Sequence, residues 1–399
     1  MNITSFSIVD WTLLGILLGL FLAQVYWYSR YMAAPARRLR KDKKSSISKN
    51  EVNSALVAEN LQSPMSEAPG VSVILAAHNE SENLSQYLQA LLTQDYPLYE
   101  VIVVDDGSED ETRAVVESYM VRDPRLHLTF VPYGARVAST KKLALTLAAK
   151  AAQYDYLLLT DADCVPESNQ WIRSMMAGFQ ADKQIVLGFG AYFYDKGHVN
   201  RLVRFDTLFN GLHYLGAALC GHPYMGVGRN LAYRKSLFFE SGGFTHMMGN
   251  RSGDDDLFVN YVATKANTAV VLNRESYTWS PAKKTMKEWW QQKRRHLSVS
   301  PNYRLGTKIR LALEPISRGL FYAMLIVIGV HYPVISIPFA AVVGLFFVRW
   351  WFQTAVLNVS ARRMGLHRFS MWSVLWFDIT LPLVNLYMLI VPRKKKNIW

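Results

Sequence analysis

Cysteine is nearly absent from this chain: Cys164 and Cys220 are the only two among 399 residues. Two cysteines cannot build a multi-disulfide framework, and their spacing does not fit a structural zinc site. We interpret both as small buried apolar residues. The scarcity argues against a disulfide-stabilised secreted scaffold and is typical of a domain that works in a reducing compartment.

A glycine-rich phosphate loop is also missing. The first strand-like run, VSVILAAHN, is followed by ESEN rather than by G-x-G-x-x-G. A dinucleotide-dependent oxidoreductase needs those glycines so that backbone N–H groups can approach the pyrophosphate. The same absence argues against a nucleotidyltransferase, which remains the alternative from another functional class.

Acidic residues are fewer than basic ones, 31 against 44, and the net charge is +13. Most of this excess lies in residues 37–49, with seven Lys or Arg and one acid, and in the four basic residues 393–396. Both segments adjoin apolar runs, which is the pattern of cytosolic flanks that contact anionic lipid headgroups. This distribution argues against a nucleic-acid partner, because a basic groove would need charge on the folded domain itself.

Charged residues are scarce near the start of the chain. Residues 11–29 carry none over a length that spans a bilayer, which predicts an uncleaved anchor within residues 1–32 that starts outside the cytosol. Residues 33–69 are basic and polar, and we predict a linker there. Residues 70–314 then form the predicted cytosolic domain, and residues 315–399 a C-terminal membrane region.

The C-terminal region contains three apolar runs. Residues 315–331 and 333–352 predict a helical hairpin that spans the membrane, with Arg349 reaching the interface. The last run, 371–392, has basic residues at both ends, and a single span cannot place both of these ends in the cytosol. We therefore favour a re-entrant or interfacial helix broken near Pro382, with a true span as the alternative. The protein is predicted to be integral to the membrane, most simply a bacterial plasma membrane.

The middle of the chain alternates strand-like and helical segments. Apolar runs begin at Val71, Tyr99, Leu126, Tyr154 and Gln184. The first three are each followed by a helical segment, and the fourth is followed by two acids, Asp161 and Asp163. Strands that are apolar on both faces and alternate with helices indicate a parallel sheet covered on both sides. The predicted fold class is α/β, with a doubly wound, mainly parallel sheet flanked by transmembrane helices.

Polar side chains end three of these predicted strands. They are Asn79 and Glu80 after the first strand, Asp105 and Asp106 after the second, and Asp161 and Asp163 after the fourth. Ligands of open α/β sheets bind at the carboxyl ends of the strands, so these groups predict a functional cleft. Clustered acids repel each other unless a cation joins them, and Asp-X-Asp suits Mg²⁺ or Mn²⁺ that also contacts phosphate. Each pair could alternatively be an ordinary turn or cap.

These motifs together resemble the membrane-bound inverting family 2 glycosyltransferases, which have the GT-A fold. This superfamily includes cellulose, hyaluronan and poly-N-acetylglucosamine synthases and ceramide glucosyltransferases. The resemblance covers about residues 70–300, and six segments follow the family's order: VILAAHNESENL, VIVVDDGSEDET, STKKLALT, DADC, GVGRNLAYRKSLFFESGGF and GDDDLF. STKKLALT is similar to Gly-Lys-Ala-x-Ala-Leu-Asn, and QKRRH stands where polymerising and lipid-modifying members have Gln-x-x-Arg-Trp.

The resemblance implies a role for each candidate residue. Asp255, with Asp254 as second choice, is the catalytic base, and Asp163 with Asp161 binds the metal. The predicted nucleotide-sugar ligands are Asn79, Glu80, Asp105, Asp106, Lys141 and Asp161. Gln292, Arg295 and His296 share one helical face and are assigned to the diphosphate and the acceptor. That helix could also be a basic amphipathic helix at the membrane surface.

The implied reaction is transfer of a sugar, with inversion, from a nucleotide-sugar (a UDP-sugar by resemblance) to a lipid or glycan acceptor at the cytosolic membrane face. A processive polysaccharide synthase is the alternative within the class. The chain departs from the family at His296, where the motif has Trp, and at Thr140 and Thr146, where it has Gly and Asn. The first departure concerns the acceptor, and the other two lie near the predicted phosphate site.

Overall fold

The structure is a computed structural model that describes residues 8–53, 68–132, 134–135, 137–180, 182–250, 252–332 and 337–391. The chain divides into two compact units. A helical unit combines Met1–Ala34 with Tyr303–Trp399, and an α/β unit comprises Pro35–Asn302. The basic residues 393–396, Pro333 and residues 54–67 of the predicted linker lie outside the described residues.

The strands of the α/β unit are short and mostly apolar. In the described residues they are β1 (Val71–Ala77), β2 (Tyr99–Asp105), β3 (Leu126–Phe130), β4 (Tyr156–Leu159), β5 (Val165–Pro166), β6 (Ile185–Leu187), β7 (Gly190–Tyr192), β8 (Leu231–Arg234), β9 (Thr268–Val270) and β10 (Thr278–Ser280). Within that part of the chain the large sheet has the order β3-β2-β1-β4-β8-β6-β9, and β5-β10-β7 form a second, small sheet.

The helices of the described residues, in chain order, are α1 (Ile8–Trp27), α2 (Ala34–Asn53), α3 (Ser81–Leu92), α4 (Thr112–Met120), α5 (Thr140–Ala151), α6 (Trp171–Met176), α7 (His198–Leu219), α8 (Lys235–Glu240), α9 (Asp256–Val262), α10 (Met286–Leu297), α11 (Leu305–His331), α12 (Ile337–Arg363) and α13 (Met371–Ile390). A π-helical turn, Tyr28–Met32, continues α1, and short 3₁₀ turns occupy Thr245–Met247, Arg274–Ser276 and Ser300–Asn302.

The large sheet is mainly parallel, as the sequence predicts. Strands β3, β2, β1 and β4 run parallel to one another, whereas β8 is antiparallel to both β4 and β6. All but one residue of β1 are buried, and α3 places Leu84, Leu88 and Leu91 in the same core. Burial on both faces explains why β1 is apolar at every position except Ser72 instead of alternating.

The fifth predicted strand is two strands in different sheets. The run that begins at Gln184 forms β6 in the large sheet and β7 in the small one, and the chain changes sheets at Gly188 and Phe189. The Asn230 amide donates to the carbonyl of Phe189 at 3.0 Å and fills the space where a Cβ at position 188 would lie. The Asn230 amide takes the place of a neighbouring strand at this point. This contact is tertiary, so the local sequence pattern does not predict it.

The helical unit has a membrane-protein composition. Ile8–Met32, Leu305–His331, Phe339–Arg363 and Met371–Ile390 are, among the described residues, four helices long and apolar enough to cross a membrane. α11 begins ten residues before the predicted boundary at 315. Part of the predicted linker is helical, because α2 covers Ala34–Asn53.

Two predictions about the C-terminal helices are wrong. The helix over 371–392 is not broken at Pro382, because α13 continues through it to Ile390. Arg349 does not reach an interface: it is 3% exposed, and its Nη1 lies 2.8 Å from Oδ2 of Asp378. An arginine facing an acid on a neighbouring helix has a partner in the interior, so it does not need to extend toward water.

Asp378 is the centre of a group that we call the helix cluster: Glu314, Arg318, Arg349 and Asp378. Arg318 donates to Asp378 at 3.0 Å and to Glu314 at 2.9 Å. The Gln353 amide and the Tyr322 hydroxyl also donate to Asp378, at 2.7 and 2.6 Å. Two acids and two arginines thus balance each other inside the helical unit.

Candidate active site

Parallel strands bring the predicted acids to one edge of the large sheet. β1 lies between β2 and β4, and all three run in the same direction. Their carboxyl ends therefore lead into adjacent loops, which carry Asn79, Asp105 and Asp161. The structure thus places the polar ends of three separate segments side by side, as predicted from the strand pattern.

Asn79 and Glu80 form the turn after β1. Asn79 has φ of 56°, a left-handed conformation that asparagine tolerates better than most residues. Its Oδ1 accepts from the backbone N–H of Glu109, and its own N–H donates to Ser108 Oγ, so the side chain ties this turn to the loop after β2. The Glu80 carboxylate accepts from Asn83, and burial raises its pKa, with a further contribution from Asp163.

Asp105 and Asp106 have different surroundings. Asp105 accepts from the backbone N–H of Ser108 at 2.9 Å, which closes the turn after β2. Asp106 is buried, and burial raises its pKa although a hydrogen bond from Thr140 opposes the shift. Thr140, which replaces the glycine of the family motif, therefore contacts a predicted nucleotide ligand directly.

Lys141 joins two parts of the site that are far apart in sequence. Its Nζ lies 2.9 Å from Asp161 Oδ1 and 3.4 Å from Asp254 Oδ2. Burial alone would raise the pKa of Asp161, but the Lys141 charge outweighs it and lowers that pKa. Conversely, Asp161 and Asp254 raise the pKa of Lys141 against the effect of burial. We call Lys141, Asp161, Asp163, Asp254 and Asp255 the edge cluster.

Asp163 has the environment of a cation ligand. Burial and the negative charge of Asp161 raise its pKa, so its ionised form is destabilised until a positive charge approaches. Donor atoms of Asp161, Asp163 and Cys164 lie within 4.8 Å of one another. Two hard carboxylate oxygens at that spacing fit Mg²⁺ or Mn²⁺, and the thiol fits such a cation poorly.

Cys164 does more than fill space. Its Sγ donates to Asp163 Oδ1 at 3.4 Å and lies 3.0 Å from Ser280 Oγ. Burial, followed by the charges of Asp163 and Asp161, raises the thiol pKa, so Cys164 stays protonated and acts as a donor. The thiol therefore orients the Asp163 carboxyl, a contact that the interpretation as a small apolar residue did not predict.

The three consecutive acids after Gly253 differ in accessibility. Asp254 and Asp256 are buried, at 8% and 7% exposure, whereas Asp255 is partly exposed. Asp255 accepts two backbone hydrogen bonds, from Gly228 and from Asp256, both at 2.7 Å, and it caps α9. Burial, together with the charge of Asp254, raises the pKa of Asp255 to about 6.

Helix α10 carries Gln292, Arg295 and His296. A capping box at Thr285 and Glu288 fixes its start, and Lys293 on its inner face pairs with Asp206 of α7 at 2.7 Å. The Gln292 amide donates to the Tyr192 hydroxyl at 3.1 Å, and the charge of Arg295 contributes to lowering the pKa of Asp161. His296 is exposed on this helix.

Arg229 is a site residue that the sequence did not single out. Its guanidinium donates to the carbonyls of Ala191 and Gly190, both at 3.1 Å, and lies 4.2 Å from the centre of the Tyr192 ring. Its charge contributes to the lowered pKa of Asp161 and opposes the rise in the pKa of Asp163. Arg229 lies within GVGRNLAYRK, which was assigned only as a segment, so the signal was present without a residue-level role.

Comparison with known proteins matches the part of the chain that holds most of these groups. Residues 72–242 match the protein family described as Glycosyl transferase family 2. The chain contains a glycosyl transferase family 2 domain. The match favours this class over the nucleotidyltransferase alternative. It ends before Asp254, so it does not include the predicted base.

The family 2 domain also has similar curated proteins. It is 31% identical over 105 residues to the poly-beta-1,6-N-acetyl-D-glucosamine synthase of Staphylococcus epidermidis, covering 26% of this chain and 24% of that protein. A probable glycosyltransferase of Bacillus subtilis is 24% identical over 237 residues, 58% of this chain and 55% of its own length. The chondroitin synthase of Pasteurella multocida is 30% identical over 129 residues, 31% of this chain and 12% of that protein.

A solved structure supports the fold assignment over most of the chain. The mannosyltransferase of Pyrobaculum calidifontis, solved with GDP-Man and Mn²⁺, aligns with a TM-score of 0.53 at 18% identity, covering 90% of this chain and 99% of that one. At this identity the likeness concerns the fold. The prediction of a GT-A-type α/β fold is confirmed.

Proposed function

We propose that this protein is a membrane-bound inverting glycosyltransferase. It moves a sugar from a nucleotide-sugar, a UDP-sugar in this proposal, to a lipid or glycan acceptor at the cytosolic face of the membrane. One observation carries the proposal: Lys141 lies within 3.4 Å of both Asp161 and Asp254. The acids assigned to the donor and the segment assigned to the base thus share one cation.

The proposed base is Asp255. A pKa of about 6 leaves its carboxylate ionised at neutral pH yet basic enough to accept a proton from an acceptor hydroxyl. Two backbone N–H groups hold both of its oxygens, so the carboxylate keeps a fixed orientation. Asp254, the second choice, is more buried and lies beside Lys141, which favours Asp255 for this role.

The donor would bind along the same sheet edge. We assign Asp105 and Asp106 to the nucleoside, Asp161 with Lys141 to the diphosphate region, and Asp163 with Asp161 to the divalent cation. When bound, that cation supplies Lewis-acid stabilisation of the leaving diphosphate. Holding the donor and the base in line is what inversion at the anomeric carbon requires.

Helix α10 is the proposed boundary between donor and acceptor. Arg295 would bind a diphosphate bidentately, and Gln292 is already oriented by Tyr192. His296 occupies the place of the tryptophan in the family motif, so a smaller and more polar side chain would face the acceptor. Asn79 is the weakest of the assigned ligands, because hydrogen bonds within the turn engage its side chain.

A donor screen tests the function. Membranes from cells that produce the full chain would be incubated with radiolabelled UDP-glucose, UDP-N-acetylglucosamine and GDP-mannose, with Mn²⁺ or Mg²⁺. The product would be separated into lipid-soluble and polymeric fractions, with Asp255→Asn membranes as control. Label in the lipid fraction or in short glycans supports the proposal. Label in long polymer favours the processive alternative, and no transfer by folded, nucleotide-binding protein would overturn both.

The topology of the last helix stays a prediction. The continuous α13 is long and apolar enough to span, while the basic residues on both sides of it favour a re-entrant or interfacial position. Protease protection of a tag after Trp399 distinguishes the two. A tag on the cytosolic side supports the re-entrant or interfacial helix, and an external tag contradicts it.

A further inference from the structure

Lys142 is a lysine with no solvent exposure at all. It follows Lys141 on α5, but its side chain points elsewhere. Its Nζ donates to the backbone carbonyls of Met247, Asn250 and Ser252 at 2.9, 2.6 and 2.8 Å. An ammonium group has three N–H donors, and this geometry uses all three. Burial of a charge is expensive, and here three carbonyl dipoles compensate for the lost water.

The three carbonyls precede the proposed base closely in sequence. Gly253 connects them to Asp254 with φ of +93°, a conformation that favours glycine, and a Cβ there would collide with Leu257. The chain therefore turns sharply between Ser252 and the acids. The position of the Ser252 backbone decides where Asp254 and Asp255 lie.

We propose that Lys142 is a positioning residue for the base: it anchors the backbone before Gly253 to α5, the helix that also carries Lys141. This inference rests on the proposed function. The two adjacent lysines then have different roles. Lys141 contacts carboxylates of the edge cluster, and Lys142 contacts the backbone segment that positions Asp255. The motif that STKKLALT resembles has alanine at position 142, so that motif does not account for the second lysine.

Charge supports the geometric role. Burial lowers the pKa of Lys142, and Asp254, Asp256 and Asp255 oppose that shift, so all three acids interact with this ammonium group. Three consecutive aspartates repel one another, and a buried cation behind them reduces that repulsion. Removal of the amine would therefore loosen the segment and increase the repulsion at the same time.

The test compares Lys142→Met, Lys142→Gln and the control Lys150→Met in full-length, detergent-solubilised protein. Lys150 is an exposed lysine in the last turn of the same helix. For Lys142→Met we expect kcat to fall about 100-fold, as for other small misplacements of a reacting group, with unchanged nucleotide affinity and binding stoichiometry. Lys142→Gln keeps two donors without the charge and should lose less, and Lys150→Met should match the wild type.

Amide hydrogen exchange supplies a readout that is independent of turnover. In Lys142→Met the amides of Ser252–Asp256 should exchange faster than in the wild type, while those of β1 should not change. An unchanged kcat in Lys142→Met would overturn the proposal. So would a fall in kcat that is matched by an equal fall in the number of nucleotide-binding sites per protein. If Lys142→Met does not fold, the Gln variant and the wild type test the proposal instead. Wild-type amides of Ser252–Asp256 that exchange as fast as those of the exposed turn at 195–197 would contradict an anchor at Lys142. A wild type without transfer activity contradicts the proposed function instead, and the exchange data still test the anchor.

Discussion

Two groups of charged side chains in the described residues, the helix cluster and the edge cluster, are built in opposite ways. In the helix cluster, Asp378 receives hydrogen bonds from Arg318, Arg349, Gln353 and Tyr322, and two acids are balanced by two arginines. The edge cluster has four aspartates but one lysine, Lys141, which contacts two of the aspartates, Asp161 and Asp254. The first cluster is neutral, whereas the second carries excess negative charge.

This difference fits a structural role for the helix cluster and the proposed ligand-binding role of the edge cluster. A neutral cluster whose acids already pair with arginines holds α11, α12 and α13 together. A cluster with excess negative charge is stabilised when a cation binds, and the raised pKa values of Asp163 and Asp255 reflect burial and the repulsion between its acids. Excess charge that the protein leaves unbalanced therefore marks the site more reliably than buried charge in itself.

The largest expected effect is on turnover, in Asp255→Asn. Loss of the proposed base should lower kcat by about 10²- to 10⁴-fold, while nucleotide-sugar binding stays largely intact. Steady-state transfer and equilibrium nucleotide binding measure the two quantities, with the exposed Asp182→Asn as control. Near-normal turnover would move the base to Asp254 and remove Asp255 from the mechanism.

Asp378→Asn should disrupt the helix cluster. Two arginines would then be buried without their common carboxylate, which should destabilise the helical unit by about 3–5 kcal/mol. Thermal unfolding in detergent measures this, and Thr380→Ala on the same helix, whose hydroxyl bonds only the carbonyl of Trp376, is the control. A melting temperature equal to that of the control would mean that the cluster adds nothing to stability.

Asp163→Ala should weaken the effect of metal on nucleotide binding at the edge cluster. In the wild type, Mn²⁺ should strengthen nucleotide binding, and the substitution should reduce that gain by about 10- to 100-fold. Calorimetric titration with and without Mn²⁺ gives both affinities. If the gain from Mn²⁺ is the same in both proteins, Asp163 is not the metal ligand.

The smallest effect is the dependence of kcat on pH. The pKa of Asp255, raised to about 6, predicts that kcat falls as pH drops below 6, because the protonated carboxyl cannot accept a proton. Asp254 contributes to raising this pKa, whereas Lys141 and the N–H groups of Gly228 and Asp256 oppose the shift. Transfer rates at saturating donor between pH 5 and 8 test it. A profile that is flat down to pH 5, with nucleotide binding intact, would contradict the assignment.

Local patterns were sufficient to predict much of the α/β unit. The apolar runs that begin at Val71, Tyr99, Leu126 and Tyr154 predicted strands of a parallel sheet, because burial on both faces leaves a continuous apolar signature. The acids that follow three of them predicted the functional edge, since parallel strands end at the same side. Arg349 and Pro382 were misjudged because their partners and supporting helices lie far away in sequence.

The sequence by itself determined the fold class, the segments apolar enough to cross a membrane and the residue types at the candidate site, because hydrophobic periodicity and strand-end chemistry are local properties. Only the tertiary structure decided which charges meet. Lys141 and Lys142 are adjacent and chemically identical, yet one contacts the carboxylates of Asp161 and Asp254 and the other three carbonyls before Gly253. Consecutive residues of a helix point about 100° apart, so their partners come from different segments that only folding brings together.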